Sequence, residues 1–479
     1  MDKINNKSDI EDIKSNNSVI NNNNEIKETK GVSTLLGDPK NAVLKMSIPM
    51  IIAMVINSLY SVIDGVWVAG LGGSALAAIG FVNPIYMIVF GFANGLGAGA
   101  TAIISRYIGA KNKKMADNAA LHVIILTIIM AIIFTIIFTL FLRPILLTIG
   151  AGQTIDLCMD YGQILFTGSI FIVFSSSGYG LLRAEGNVNK TTYAMFVGAV
   201  LNMVLDPLFI YYLNLGVSGA AIATLLSMAF VCVILLYWFK GETYIDFNLK
   251  NFIYSNKLIK QILSVGLPAG AEFLIIAILS GTLNLILAIV AGIDGVAVYT
   301  AGWRVVLIGM VPPISIGIAI VAVTGANFGG ARLHNLKIIH NYGIKLSFLI
   351  ALAISIIVFI AAPYISYIFA YSPETAGLRD TITDFLRVTS LFYIFLPLGV
   401  SSASIFQGLG KGLHSLTITM IRILILEVLF AYILAIPLNI GQYGVWYGMV
   451  IGNAIGSIIA YVWAKLHIKK LHNSNIGGG

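Results

Sequence analysis

The chain has 479 residues; 58% are hydrophobic and only 10% charged, with a mean hydropathy of +0.91. Soluble chains carry about 25% charged residues, so a soluble globular domain is excluded and an integral membrane protein is indicated. The formal charge of +8 is compatible with a nucleic-acid binder only if the cations gather on one soluble surface, and here they are spread between apolar stretches.

Residues 1–40 are polar, rich in Asn, Lys, Glu and Ser, and include the run Asn21 to Asn24. This composition predicts a disordered tail, and it lacks the apolar centre of a cleavable signal peptide. Twelve apolar stretches follow, at 43–70, 76–104, 117–142, 158–182, 191–213, 217–239, 259–291, 296–323, 337–362, 380–408, 414–437 and 443–466. A spanning helix needs about 20 such residues, and these stretches are too continuous for alternating barrel strands. The expected fold is all-α with twelve transmembrane helices. A first lobe covers 41–240 and a polar inter-lobe connection 241–257. A second lobe covers 258–466, and a tail covers 467–479.

Lys and Arg sit after every second span. Arg106, Lys111, Lys113 and Lys114 follow span two; Lys240, Lys250, Lys257 and Lys260 follow span six; Lys465, Lys469 and Lys470 follow span twelve. The opposite connections are short and nearly free of cations, Arg143 and Arg379 being the exceptions. The positive-inside rule then places both termini in the cytoplasm. The charge is an orientation signal, and no nucleic-acid partner is expected. Cys158 and Cys232 lack the number and spacing of a disulfide framework or a metal site.

Three motifs recur between the halves. Gly109-Ala110-Lys111 matches Gly330-Ala331-Arg332, Arg183 to Gly186 matches Gln407 to Gly410, and Leu215 to Gly219 matches Ile440 to Gly444. The offsets are 221, 224 and 225 residues. Six spans per half make the lobes parallel repeats, related by a pseudo-two-fold axis along the membrane normal, an arrangement common in secondary transporters. No phosphate-binding loop, nucleophile elbow or zinc-protease motif is present, so neither an ATP-driven cycle nor an enzyme is expected.

Asp206 interrupts the apolar run 200–210. A carboxylate at the bilayer centre costs about 2.5–3.5 kcal/mol on insertion scales, so a partner, a cavity or a cation must offset it. Asn202 lies four residues earlier on the same helix face. Tyr60 and Asp64 repeat that spacing on span one, and Thr224 lies inside span six. Carboxylate, amide, phenol and hydroxyl oxygens together suit Na⁺, and an apolar setting also favours protonation of an acid. Asp206 beside Pro207 could instead cap a kinked helix, and Asp64 could sit at a helix end. Span seven carries Glu272, span eight Arg304, and span eleven Arg422 and Glu427, which read either as structural charge pairs or as groups that attract a cationic substrate.

The segments Ile63 to Gly72, Leu182 to Asn187 and Leu201 to Ile210, with Pro312-Pro313 and Ser47 to Met50, resemble the multidrug and toxic compound extrusion (MATE) transporters over residues 40 to 466. The resemblance implies a plasma-membrane antiporter that exports amphipathic or cationic small molecules in exchange for Na⁺ or H⁺. Such a protein acts as a monomer and needs no other cofactor. It implies cation coupling through Asp64, Asn202, Asp206, Thr224 and Tyr60, with Na⁺ held by Asp64, Asn202, Asp206 and Thr224, and a helix that bends at Pro49. Another branch of the family couples through acids on spans seven and ten. Span ten has no acid from Tyr393 to Phe406, so first-lobe coupling is expected, with Glu272, Arg304 and Glu427 left as substrate or charge-pair residues. A lipid-linked oligosaccharide flippase of the same superfamily and an ion channel are the alternative functions.

Overall fold

A computed structural model describes residues 29–371 and 375–476. Backbone polar groups in a bilayer must be satisfied within the chain, and every apolar stretch is accordingly helical. A short helix α1 (Lys30–Leu36) precedes α2 (Pro39–Ala69), α3 (Gly73–Gly109) and α4 (Lys113–Thr148). Span four is two helices, α5 (Ile155–Thr167) and α6 (Ser169–Ala184), bent by 50°. Then come α7 (Val188–Pro207), continued by a wide π-turn Leu208–Tyr212, and α8 (Gly216–Phe239).

The next helical element, Asn256–Gly329, has 74 residues. At 1.5 Å per residue it would be several bilayers long if straight. Gly292, with φ 64° and ψ −153°, breaks it into α9 (256–291) and α10 (293–329). After these come α11 (His334–Phe369) and α12 (Arg379–Gly408). Span eleven combines α13 (Gly412–Thr419), a π-turn Met420–Glu427 and α14 (Val428–Ala435), and α15 (Gln442–Ile476) completes the described chain. With the bent pair counted once and the broken helix twice, the spans are the twelve expected.

Side chains cap several helices in the way the sequence favours. Asp38 Oδ2 accepts from the Asn41 N–H at 2.9 Å ahead of Pro39, and Ser255 Oγ accepts from Leu258 N–H at 3.3 Å. Two boundaries differ from expectation. The predicted tail to residue 40 already contains α1 and the first turn of α2, because Val32 and Leu35 are apolar enough to be buried; residues 1–28 lie outside the described chain. The last helix also continues ten residues past 466, since Trp463 to Ile476 contains no Gly or Pro to stop it.

The repeat is visible in the turns. Asn214 and Gly216 have positive φ, as do Asn439 and Gly441, at the offset of 225. Gly186 pairs with Gly410 at 224. Lys111 pairs with Ala331 (φ 56° and 55°), which corrects the first motif match from 221 to 220: Gly109 corresponds to Gly329.

Those two glycines lie where the halves meet. A Cβ on Gly109 would collide with the backbone of Ala326, and one on Gly329 with the backbone of Arg106. Gly95 also approaches the backbone of Gly266 and Gly270 of α9, and Gly99 that of Ile262, at somewhat longer range. Tyr107 donates across the halves to Gln261 Oε1 at 3.1 Å. α1 adds a bridge. Its Gly31 packs on the backbone of Glu185 to Asn187, while Leu36 O accepts from Arg332 Nη1 at 2.6 Å. All these contacts gather at the face of the bundle that carries the first and last described residues. Beyond them, over 73–90 and 293–310, α3 and α10 are largely exposed or half-buried.

The inter-lobe connection is pinned to the first lobe. Glu185 Oε2 accepts from Tyr244 N–H at 2.7 Å and Ile245 N–H at 3.4 Å. Asp117 Oδ1 accepts from Asp246 N–H at 2.9 Å, and His122 Nε2 from Ser255 N–H at 3.0 Å. Asn118 grips Ile253 through both its amide atoms, at 2.8 and 3.1 Å.

Two predictions follow from this packing. Gly329→Ala should destabilise the protein by about 1–3 kcal/mol, the range of overpacking, whereas Gly65→Ala, with nothing within 4 Å of its Cβ position, should leave the thermal midpoint unchanged; equal midpoints for the two variants would contradict the backbone contact. The second concerns Glu185. Burial raises its carboxyl to about 7, against the lowering effect of the Tyr244 and Ile245 N–H groups. Its folded value lies above the reference of 4.5, so its contribution to stability is complete below about 4.5 and is lost as pH rises through about 7. Thermal midpoints compared at pH 5 and pH 8 should therefore fall more in the wild type than in Glu185→Gln.

Candidate functional site

The sequence-predicted acids come together. Asp206 is fully buried near the end of α7, and Asp64 lies on α2, half-buried and five residues short of its end. Their carboxyl groups are within hydrogen-bonding reach of each other. Two carboxyl groups in that relation repel unless a proton or a cation stands between them. Asn202, 2% exposed, supports the pair. With its amide oriented to suit its neighbours, it donates to Asp206 Oδ2 at 2.8 Å and accepts from the Thr224 N–H at 3.1 Å. Asp206 Oδ1 has no partner among the described residues, which leaves an acceptor free for an incoming ion. Among those residues no cluster of three or more His, Cys, Asp and Glu side chains exists. A Na⁺ at this site would depend on Asn202 and Thr224 for its remaining oxygens.

The local fold brings these groups in. The π-turn Leu208–Tyr212 begins directly after Asp206-Pro207, where Pro207 cannot donate a backbone hydrogen bond. Wide turns of this kind are frequent at functional sites. Gly219 of α8 lets the helix that carries Thr224 close onto Phe209 and Ile210 at backbone distance. Three phenols lie within electrostatic reach of the acids: Tyr60, one turn before Asp64, Tyr86 of α3 and Tyr161 of α5. Tyr161 was not apparent from sequence, because it carries no motif. Pro49 lies within α2, and its carbonyl accepts from Thr192 Oγ1 of α7 at 2.9 Å. The proline break in the Asp64 helix is thus tied to the helix that carries Asp206.

The second-lobe charges do not form the pairs considered from sequence. Arg304 is exposed, and among the described residues no hydrogen bond or ion pair joins it to Glu272 or Glu427. Glu272 Oε1 accepts from Ser415 Oγ at 2.8 Å and Gln407 Nε2 at 3.2 Å. Arg422 is the cation near both Glu272 and Glu427, yet its Nη1 donates to Asn453 Oδ1 at 2.9 Å.

The MatE family model matches residues 49–208 and 268–433, one match in each lobe. The chain is 24% identical over 445 residues to "Probable multidrug resistance protein YoeA" of Bacillus subtilis (strain 168), covering 88% of this chain and 94% of that protein. It is 26% identical over 413 residues to an FAD transporter of Shewanella oneidensis, covering 82% and 87% respectively. A solved outward-facing MATE family multidrug resistance transporter of the MOP superfamily superposes with a TM-score of 0.91 at 40% identity, over 93% of this chain and all of that one.

Proposed function

The chain belongs to the MatE family, in which multidrug transporters rather than enzymes are its relatives, and on that footing we propose that it is a secondary multidrug antiporter driven by H⁺ or Na⁺. The observation that carries the coupling is the Asp64–Asp206 pair, two acids from separate spans held against each other with Asn202 and Thr224 beside them. The face with the termini is the cytoplasmic one by its Lys and Arg content, and the protein resides in the plasma membrane as a monomer.

The halves meet at the face with the termini, through Gly109, Gly329 and α1. On this assignment the structure faces outward, as does its 40%-identical neighbour. A cation from outside enters between Asp64 and Asp206 and removes their repulsion. α2 can then change its path at Pro49, where the helix lacks one backbone bond. The cation thereby favours one state and the substrate the other, and unequal affinity for the two states is what coupling requires. Amphipathic organic cations are the substrate class proposed first. The FAD transporter among the relatives is the reason to include an anionic flavin nucleotide in any substrate panel.

The test is dye efflux from proteoliposomes with pH and Na⁺ gradients imposed separately. Wild type should respond to one gradient, and Asp206→Asn should fall to the level of empty liposomes while remaining monodisperse and inserted. Full gradient-driven efflux from Asp206→Asn would sink the assignment of this pair as the coupling site.

A further inference from the structure

The second lobe holds a charged cluster that the cycle above does not use. Arg422 and Glu427 both belong to the π-turn Met420–Glu427 of span eleven. Glu427 is completely buried, and neither of its carboxyl oxygens has a partner among the described residues. Arg422 is 5% exposed; its Nη1 is engaged by Asn453, and its Nε has no partner. Both members of an ion pair are present, five residues apart, and the pair is not made.

The surroundings limit what can occupy this place. Gly452 and Gly456 of α15 and Gly399 of α12 bring backbone against Glu427 and Arg422 so closely that a Cβ at any of them would stand within 2.9 Å of an atom of those two residues. An organic substrate has no room there. Besides Arg422, the titratable groups around Glu427 are the Tyr299 phenol of α10 and, across Arg422, Glu272 of α9. A Na⁺ needs several oxygens and would be repelled by the guanidinium. An ionised carboxylate buried with no donor is penalised by several kcal/mol, on the order of the effective charge-burial penalty. The occupant that satisfies all of these conditions is a proton.

The repeat supports a functional reading of the position. The offset between lobes is 224 at Gly186 and Gly410 and 225 at Gly216 and Gly441. The extra residue falls between Gly410 and Asn439. Counted back from Asn439 at the offset of 225, Glu427 is the counterpart of Asn202 and Ala431 the counterpart of Asp206. The second lobe thus carries its acid one helical turn away, where the first lobe has the amide that holds its acid.

We infer that Glu427 is a second proton-carrying group of this transporter, protonated while Arg422 is engaged with Asn453 and deprotonated when Arg422 turns to pair with it. In that step the Glu427 O–H bond breaks, the proton leaves to water, Arg422 keeps its charge, and the net charge of the cluster falls by one. The inference is independent of the Asp64–Asp206 site.

Infrared spectroscopy of the full-length protein in lipid nanodiscs tests it, through the carbonyl band of a protonated carboxylic acid. At neutral pH the wild type and an Asp64→Asn/Asp206→Asn variant should both show a band component that Glu427→Gln lacks. In Glu427→Asp, a second variant that retains an acid, the component should shift in frequency. Arg422→Gln, which removes the competing cation, should retain the component to higher pH than wild type. A spectrum unchanged by both Glu427 substitutions would overturn the inference, as would a component lost from the Asp64→Asn/Asp206→Asn variant and kept in Glu427→Gln.

Discussion

Backbone contact at glycine is the constraint on which the arrangement of the two lobes depends. Lipid tails are as apolar as the side chains they touch, so helix association in a bilayer relies on close packing. Gly109 against Ala326 and Gly329 against Arg106 bring α3 and α10 together with no side chain between them. The two contacts are copies of each other at an offset of 220, so any movement of the lobes that keeps the repeat symmetry changes both together. Gly95 and Gly99 extend the same seam along α9. An interface of this kind has few side-chain bonds to exchange if the lobes move.

The polar site obeys the opposite logic. Where the lobes touch, the chain removes side chains; inside the first lobe it sets two acids against each other and gives one of them an amide donor. Asn202 connects Asp206 to Thr224, and Thr192 connects α7 to the carbonyl of Pro49. α7, which carries Asp206, is thereby bonded to α2 at its internal proline, and each of these bonds can be removed singly.

Much of this was legible in the sequence because membrane burial makes polar residues conspicuous. Asp64, Asn202 and Asp206 stand out in apolar runs, and the four-residue spacing assigns a face. The twelve spans were readable for the same reason, down to the break at Gly292 between two stretches that form one continuous helical element. Other features were not legible. Tyr161 stands in its span with no motif that marks it as part of the site. The burial of α1 depends on Val32 and Leu35, two apolar residues in a segment otherwise polar enough to look disordered. The first repeat offset was misread by one because Gly329 and Gly330 are adjacent, and only backbone geometry tells which one matches Gly109. Arg304 looked like a partner for a buried acid, but its exposure is set by helix rotation, which a run of apolar residues on all sides does not fix.

The asymmetry between the lobes follows from the same geometry. A repeat begins with two equivalent positions, and the two lobes fill them with different residues. In the first lobe the π-turn lies after Asp206, and the acid faces its partner on α2. In the second, the π-turn ends at Glu427, and the position equivalent to Asp206 is Ala431. A wide turn changes the direction of every side chain beyond it, so a turn placed after the acid in one lobe and ending at the acid in the other gives the two lobes different chemistry on a shared backbone. The buried charges of the second lobe are best understood as the product of that shift: an acid and a guanidinium kept on one turn, close enough to pair and held apart by Asn453.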